Sequence, residues 1–199
     1  MQARAEKTRS NILKTARNLF ASGGFSGTSV DSIALAAKAN KQRIYAYFGS
    51  KKKLFEAVLL ELFADNAEKF AGFVAGIDPE KDDITFELLQ YYQQLHGKQP
   101  ELRRLLMWAN LENAIDPEVL SQARRQENEC LKKWFDSEQR SGRLRCDVAF
   151  ESWLLTVMGT AFFASANAMT LSRTLGEEFL TPSAQQRRCE DLAKLFRIT

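Results

Sequence analysis

The sequence predicts an all-α protein, with a small N-terminal three-helix domain joined by a fourth helix to a larger helical domain. Three observations predict this. No sustained alternation of apolar and polar residues marks a strand, only four prolines occur in 199 residues, and apolar residues recur at helical spacing along most of the chain. A chain of this length can bury a large core and hold one or two domains. With 45% hydrophobic and 27% charged residues, its composition is ordinary for a soluble protein.

Caps, breakers and the 3.6-residue period place the elements in order. The first helix is expected from about Ala5 to Ala21, where Ile12, Leu13, Ala16, Leu19 and Phe20 make one apolar face. Gly23 and Gly24 end it. Thr28 offers an N-cap, with Asp31 three residues on, for a second helix running through Ala37. Asn40 can cap the third helix and Ser50 the fourth, which should reach about Val74. The helix-turn-helix falls at about 29–48 of a first domain, 1–53. Residues 54–199 form the second domain, with GIDPEKDD at 76–83 as the clearest break after the joining helix.

Start signals then recur. Asp83 precedes one helix, and Gln99-Pro100, Asp116-Pro117 and Thr181-Pro182 each put proline at a first helical position. Asp147 can cap a long helix containing the uncharged run from Trp153 to Leu171, with a loop between Thr170 and Thr181. About nine helices are expected in all. The uncharged run is nearly long enough to span a bilayer, but Thr156, Gly159, Thr160, Ser165, Asn167 and Thr170 interrupt it. It is read as a helix buried within protein, with no membrane partner. The polar start, MQARAEKTRS, lacks the apolar core of a signal peptide. Cys130, Cys146 and Cys189 are odd in number and match no zinc spacing, which fits a reducing cytoplasm.

The charge is unevenly placed. The net +3 divides into +9 over residues 1–53, where eleven Lys and Arg meet only Glu6 and Asp31, and −6 over the rest, where 17 basic residues meet 23 acidic ones. A basic small domain carrying a helix-turn-helix pattern points to a polyanion, and double-stranded DNA read in its major groove is the leading partner. In the third helix Ile44 and Phe48 should turn inward, leaving Lys41, Gln42, Arg43, Tyr45 and Tyr47 on outer and lateral surfaces. Lys and Arg can address guanine and Gln adenine, while tyrosine hydroxyls suit phosphates or base edges. Tyr45 could equally pack in the core with its hydroxyl at the rim. Lys51, Lys52 and Lys53 occupy a helix N-terminus, where the macrodipole disfavours cations unless an anion docks there.

Thr8-Arg9, Ile12-Leu13, Ala16, Leu19-Phe20, Gly24-Phe25, Thr28-Ser29-Val30, Ile33-Ala34, Ala37, Ile44-Tyr45, Tyr47-Phe48, Ser50-Lys51 and Leu54 together resemble the N-terminal domain of the TetR family of bacterial transcriptional regulators. The resemblance covers about a quarter of the chain. It implies that Lys41, Gln42 and Tyr45 meet bases and that Thr28, Arg43, Tyr47 and Lys51 lie near phosphates, with Ser29 in the same DNA-facing set. Lys38 stands where the family often has Gly in the turn, and Ala39 where Val usually packs.

For the second domain the resemblance implies a helical ligand-binding and dimerisation unit. The helix from Asp147 offers two apolar faces. One runs through Phe150, Trp153, Leu154, Val157 and Ala161, and the other through Leu155, Met158, Phe162 and Met169; one is read as core and one as a dimer seam. Cys189, Leu192 and Phe196, along one side of the helix from Pro182, would complete a four-helix interface. Tyr91, Tyr92, Leu95, Met107, Trp108, Trp153 and Phe162 could surround a small-molecule pocket or simply fill the core. His96, the only histidine, could be a hydrogen-bonding group in a pocket, but a surface position beside Gly97 is expected. No nucleophile–base pair, metal spacing or phosphate-binding glycine loop appears, so neither catalysis nor a cofactor is expected. The expected function is that of a cytoplasmic, homodimeric, TetR-like repressor released from a pseudo-palindromic operator by a small-molecule effector. Its rivals are a DNA-binding regulator controlled by a protein partner and, further off, a helical-bundle enzyme.

Overall fold

The computed structural model describes residues 2–198, and among these it forms ten α-helices with one 3₁₀ turn before the last. They are α1 (Gln2–Gly27), α2 (Val30–Ala36), α3 (Lys41–Phe48), α4 (Lys51–Gly76), α5 (Ile84–Lys98), α6 (Pro100–Leu111), α7 (Pro117–Arg140), α8 (Phe150–Ala166), α9 (Ala168–Leu175) and α10 (Pro182–Lys194). The chain forms two compact units. One comprises residues 1–68 and 100–125, the other residues 69–99 and 126–199.

In the first unit α1 packs against α2, α3 and α6. The predicted inward face is covered at Ile12, Ala16 and Phe20 (0% exposure) and at Leu13, while Leu19 is half-buried. Phe20 meets Phe55 edge-on at 5.0 Å between centroids, and Phe25 meets the same ring at 5.5 Å. The regular run of α1 breaks at Gly24 (φ 76°, ψ 178°), and one further turn carries it to Gly27. Only glycine fits there, since a Cβ would sit 2.7 Å from Glu112 Oε1 and 3.0 Å from the Trp108 ring.

The cap of α2 lies one residue later than the sequence suggests. Ser29, not Thr28, is the N-cap, and its capping-box partner is Ser32 rather than Asp31. Thr28 is buried, with its hydroxyl turned back onto α1 to donate to Leu19 O at 3.1 Å. Asn40 caps α3 by accepting from Gln42 N at 2.8 Å, and Ser50 accepts from Lys53 N at 3.1 Å at the start of α4. Lys38, between α2 and α3, has φ 49°, a left-handed conformation that glycine adopts without strain.

In the second unit α5 packs on α8 and α10. One apolar cluster gathers Phe70, Leu88, Tyr92, Leu131, Phe135, Trp153, Val157, Cys189 and Phe196. Trp153, fully buried, donates its indole N–H to Thr85 Oγ1 at 3.0 Å. Asp83 caps α5, and Pro100, Pro117 and Pro182 open α6, α7 and α10 as expected.

Other expectations fail for local reasons. Asp147 does not cap α8: its carboxylate is drawn into an ion pair with Arg145 at 2.7 Å, and Ala149 takes the N-cap position without a side-chain bond. The helix expected to run through Leu171 breaks at Asn167, with α9 turned 87° from α8. The segment expected as a loop before Thr181 is helical, first α9 and then the 3₁₀ turn Glu177–Leu180. His96 is buried at 4% exposure, edge-on to Phe162 at 5.2 Å, instead of lying at the surface. Cys189 and Leu192 of α10, and Phe196 just beyond it, pack on the unit's own core rather than facing outward. Among the described residues no single helix is long and apolar enough to cross a membrane.

Candidate nucleic-acid interface

The third helix is short, eight residues, and its Asn40 cap and two buried anchors fix its rotation. Ile44 and Phe48 are covered at 1% and 8% exposure, so the intervening positions must face out. Lys41, Gln42, Arg43 and Tyr45 are exposed, and Tyr45 at 43% is no core residue. Tyr47 is half-buried and donates its hydroxyl to Ala5 O at 3.3 Å, tying the first turns of α1 to α3. The guanidinium of Arg9 lies over the Phe48 ring at 5.2 Å and braces the same junction.

The remaining DNA-facing candidates divide by how they are held. Lys41 pairs with Asp31 of α2 at 2.8 Å, and that carboxylate holds the ammonium above its ordinary pKa. Ser29 is committed to capping, and Thr28 is buried. Lys51 donates to Phe25 O at 2.9 Å and Thr28 O at 3.1 Å, with its ammonium 4.3 Å from the Phe25 ring centroid. These bonds answer the unfavourable placement of a cation at a helix start, because the carbonyls ending α1 supply the negative partners. Lys53 pairs with the buried Glu56 at 3.0 Å, while Lys52 is exposed.

Of the residues proposed for a ligand pocket, Tyr92 and Trp153 belong to the buried cluster of the second unit, with Tyr91 and Leu95 packed against it. Tyr91 stacks on Phe73 at 4.6 Å, and burial, helped by the nearby Glu127 charge, pushes its hydroxyl up to about 12. Tyr92 donates its hydroxyl to Glu127 Oε1. Met107 and Trp108 lie on α6 in the first unit, Trp108 against Gly24. A cleft of about 350 Å³ opens elsewhere, lined by Leu89, Gln93, Thr160, Phe163, Phe179 and Leu192 among others, and none of the seven candidates borders it.

Sequence reasoning missed one residue of this interface. Glu112, at the end of α6, accepts the backbone N–H of Phe25 at 3.1 Å and of Ser26 at 2.7 Å. Its partners lie 87 and 86 positions away, beyond the reach of any local motif. The Gly24-Phe25 pair was the only local hint, since a glycine at positive φ allows a close approach.

A capped, anchored helix with an exposed polar row, beside a second short helix and within a basic unit, defines a helix-turn-helix DNA-binding module. Comparison with known proteins bears this out. Residues 12–58 match the model of the TetR family of bacterial regulatory proteins, and residues 86–195 match a tetracycline repressor-like C-terminal domain. The chain is 30% identical over 185 residues to the HTH-type transcriptional repressor NicS of Pseudomonas putida, covering 91% of this chain and 86% of that one. It is 37% identical over 127 residues to the HTH-type transcriptional repressor SCO4008 of Streptomyces coelicolor, covering 64% of this chain and 62% of that one. A TetR family transcription regulator from Marinobacter aquaeolei VT8 shares the fold at a TM-score of 0.76, with 21% identity and all of both chains covered. The chain belongs to the TetR family and is a DNA-binding transcriptional repressor rather than an enzyme.

Proposed function

We propose that this protein is a cytoplasmic homodimer whose paired α3 helices read a pseudo-palindromic operator in successive major grooves, and that a small molecule received by the second unit releases it. The observation that carries the DNA half is the exposed row Gln42, Arg43 and Tyr45, held rigidly by Ile44 and Phe48. Lys41 and Tyr47 flank that row, each tied to a neighbouring helix. Thr28, Ser29 and Lys51 shape the turn that meets the phosphate backbone, and Lys51 has one N–H beyond its two carbonyl bonds. The dimer half rests on α8, where Leu155 (73% exposed) and Phe163 (57%) share one face with the small Gly159 and Ala166 between and after them. Such a stripe allows close helix approach and suits an isologous seam.

For the effector, Tyr91, Tyr92, Leu95, Trp153 and Phe162 stay the proposed contacts, supported by the Tyr92–Glu127 hydrogen bond as a polar handle within an aromatic wall. The dense packing of these rings equally suits the second reading, control by a protein partner without a ligand. A small-molecule thermal-shift screen separates the two: a compound that raises the melting temperature and releases DNA supports the first, and none does so under the second.

The deciding experiment is genomic binding-site selection with the purified protein, followed by titration of the recovered duplex against a random one. Affinity should fall steeply with salt, and Lys51→Ala should lower the log–log slope by about one. Gln42→Ala and Arg43→Ala should each cost about 1–3 kcal/mol on the operator and less on random DNA if they read bases. Equal losses on both duplexes would assign them to the backbone.

A further inference from the structure

The turn that launches the helix-turn-helix, residues 24–28, is gripped from two sides. Both oxygens of Glu112 accept its amides, Phe25 N–H and Ser26 N–H, while Lys51 donates to its carbonyls, Phe25 O and Thr28 O. Gly24 at φ 76° brings the backbone so close to Glu112 and Trp108 that no side chain fits between. The carboxylate comes from the residue that follows α6, not from the helix-turn-helix, and nothing in the DNA-reading surface itself accounts for it. We infer that Glu112 is a positioning residue for operator binding: it touches no DNA, but it fixes the start of α2, and through α2 the direction of α3.

Two physical points favour this over a merely stabilising role. A charge-assisted pair of bonds to adjacent amides fixes direction as well as distance, so it constrains rotation of the turn as one apolar contact would not. Electrostatics also gives the opposite sign. Removing a carboxylate from a DNA-binding unit should tighten binding to any duplex, because less negative charge opposes the phosphates. Loss of positioning should instead weaken binding at the operator alone.

The inference rests on the operator-binding reading above, and its test keeps the two apart. Full-length wild type, Glu112→Ala and Glu112→Gln are titrated against the selected operator and a random duplex, with melting temperature and dimer mass recorded. Glu112→Ala should raise the operator Kd about tenfold while random-duplex affinity is equal or tighter, the size expected when a charged hydrogen-bond acceptor is lost. Glu112→Gln keeps the shape and one good acceptor, so it should show the same sign at about threefold, and it carries the test if the alanine variant melts early. An unchanged or tighter operator Kd, or equal weakening on both duplexes, would overturn the inference. If wild type itself prefers no duplex, the operator reading fails, and amide exchange decides the clamp separately. In Glu112→Gln the Phe25 and Ser26 amides should then exchange several-fold faster, and unchanged exchange refutes it.

Discussion

In the first unit the turns are tied by polar side chains bonded to backbone: Ser29, Asn40, Ser50, Lys51 and Glu112 each satisfy amides or carbonyls at a helix end. In the second unit Asp83 and Thr181 cap α5 and α10, but the central α8 has no side-chain cap and takes its order from an apolar cluster centred on Trp153, Tyr92 and Leu131. That unit also leaves Leu155, Phe163, Met169 and Leu175 exposed. The contrast fits the work of each part. A module that must present α3 at a fixed angle needs directional bonds at its turns, whereas the unit proposed to pair and to receive a signal can rely more on non-directional packing.

The largest test of this contrast is Trp153→Ala. It removes a fully buried indole and strands the buried Thr85 hydroxyl, so a loss of about 3–5 kcal/mol is expected, read as a large fall in melting temperature. A loss under about 1 kcal/mol would mean that the cluster does not organise the unit.

Next comes Phe163→Glu, which places a charge on the exposed face of α8. If that face is the seam, the like charges of two copies should weaken dimerisation by about 2 kcal/mol or more, seen as monomer by sedimentation at micromolar concentration. Operator affinity should fall with it, while folding stays intact because the ring contributes little to its own protomer's core. An unchanged dimer would place the seam elsewhere.

Ser29→Ala then probes the first unit at its smallest tie. It should cost about 1 kcal/mol through loss of the α2 cap. Thr28→Ala removes a buried hydroxyl bond instead and should not affect the cap. Equal melting losses with identical α2 amide exchange would erase the distinction between the two hydroxyls.

These cases also show how far the sequence could be read. The caps at Asn40, Ser50 and Asp83 and the three proline starts were legible because signal and partner lie within a turn of each other. Thr28 and Ser29 present the same chemistry side by side, and what separates them is Leu19 O, nine residues back. Asp147 looked like a cap until Arg145 took its carboxylate. The burial of His96 depends on packing between helices far apart in sequence, as does the role of Glu112. The outward row of α3 was legible because two large apolar residues four apart fix a helix's rotation. The proposed effector site has no such local anchor, because aromatic residues that fill a core and those that line a cavity share one pattern.

Lys38 supplies the finest test, since it strains the turn whose neighbours are otherwise tied by directional bonds. Its φ of 49° places a side-chain-bearing residue where the left-handed conformation costs about 1 kcal/mol or more. Ala39 N–H bonds Ala34 O at 2.9 Å just beyond it, so the backbone is held in this shape rather than free to relax. Lys38→Gly should therefore raise the melting temperature by about 2 °C, less than the relieved strain alone implies, because glycine also gains freedom when unfolded. Removing the exposed charge should weaken random-duplex and operator binding alike, if at all. A fall in melting temperature would show that the lysine stem contributes packing in the turn that outweighs the strain. A rise with operator affinity reduced more than random would show instead that the strained turn is part of how α3 is aimed.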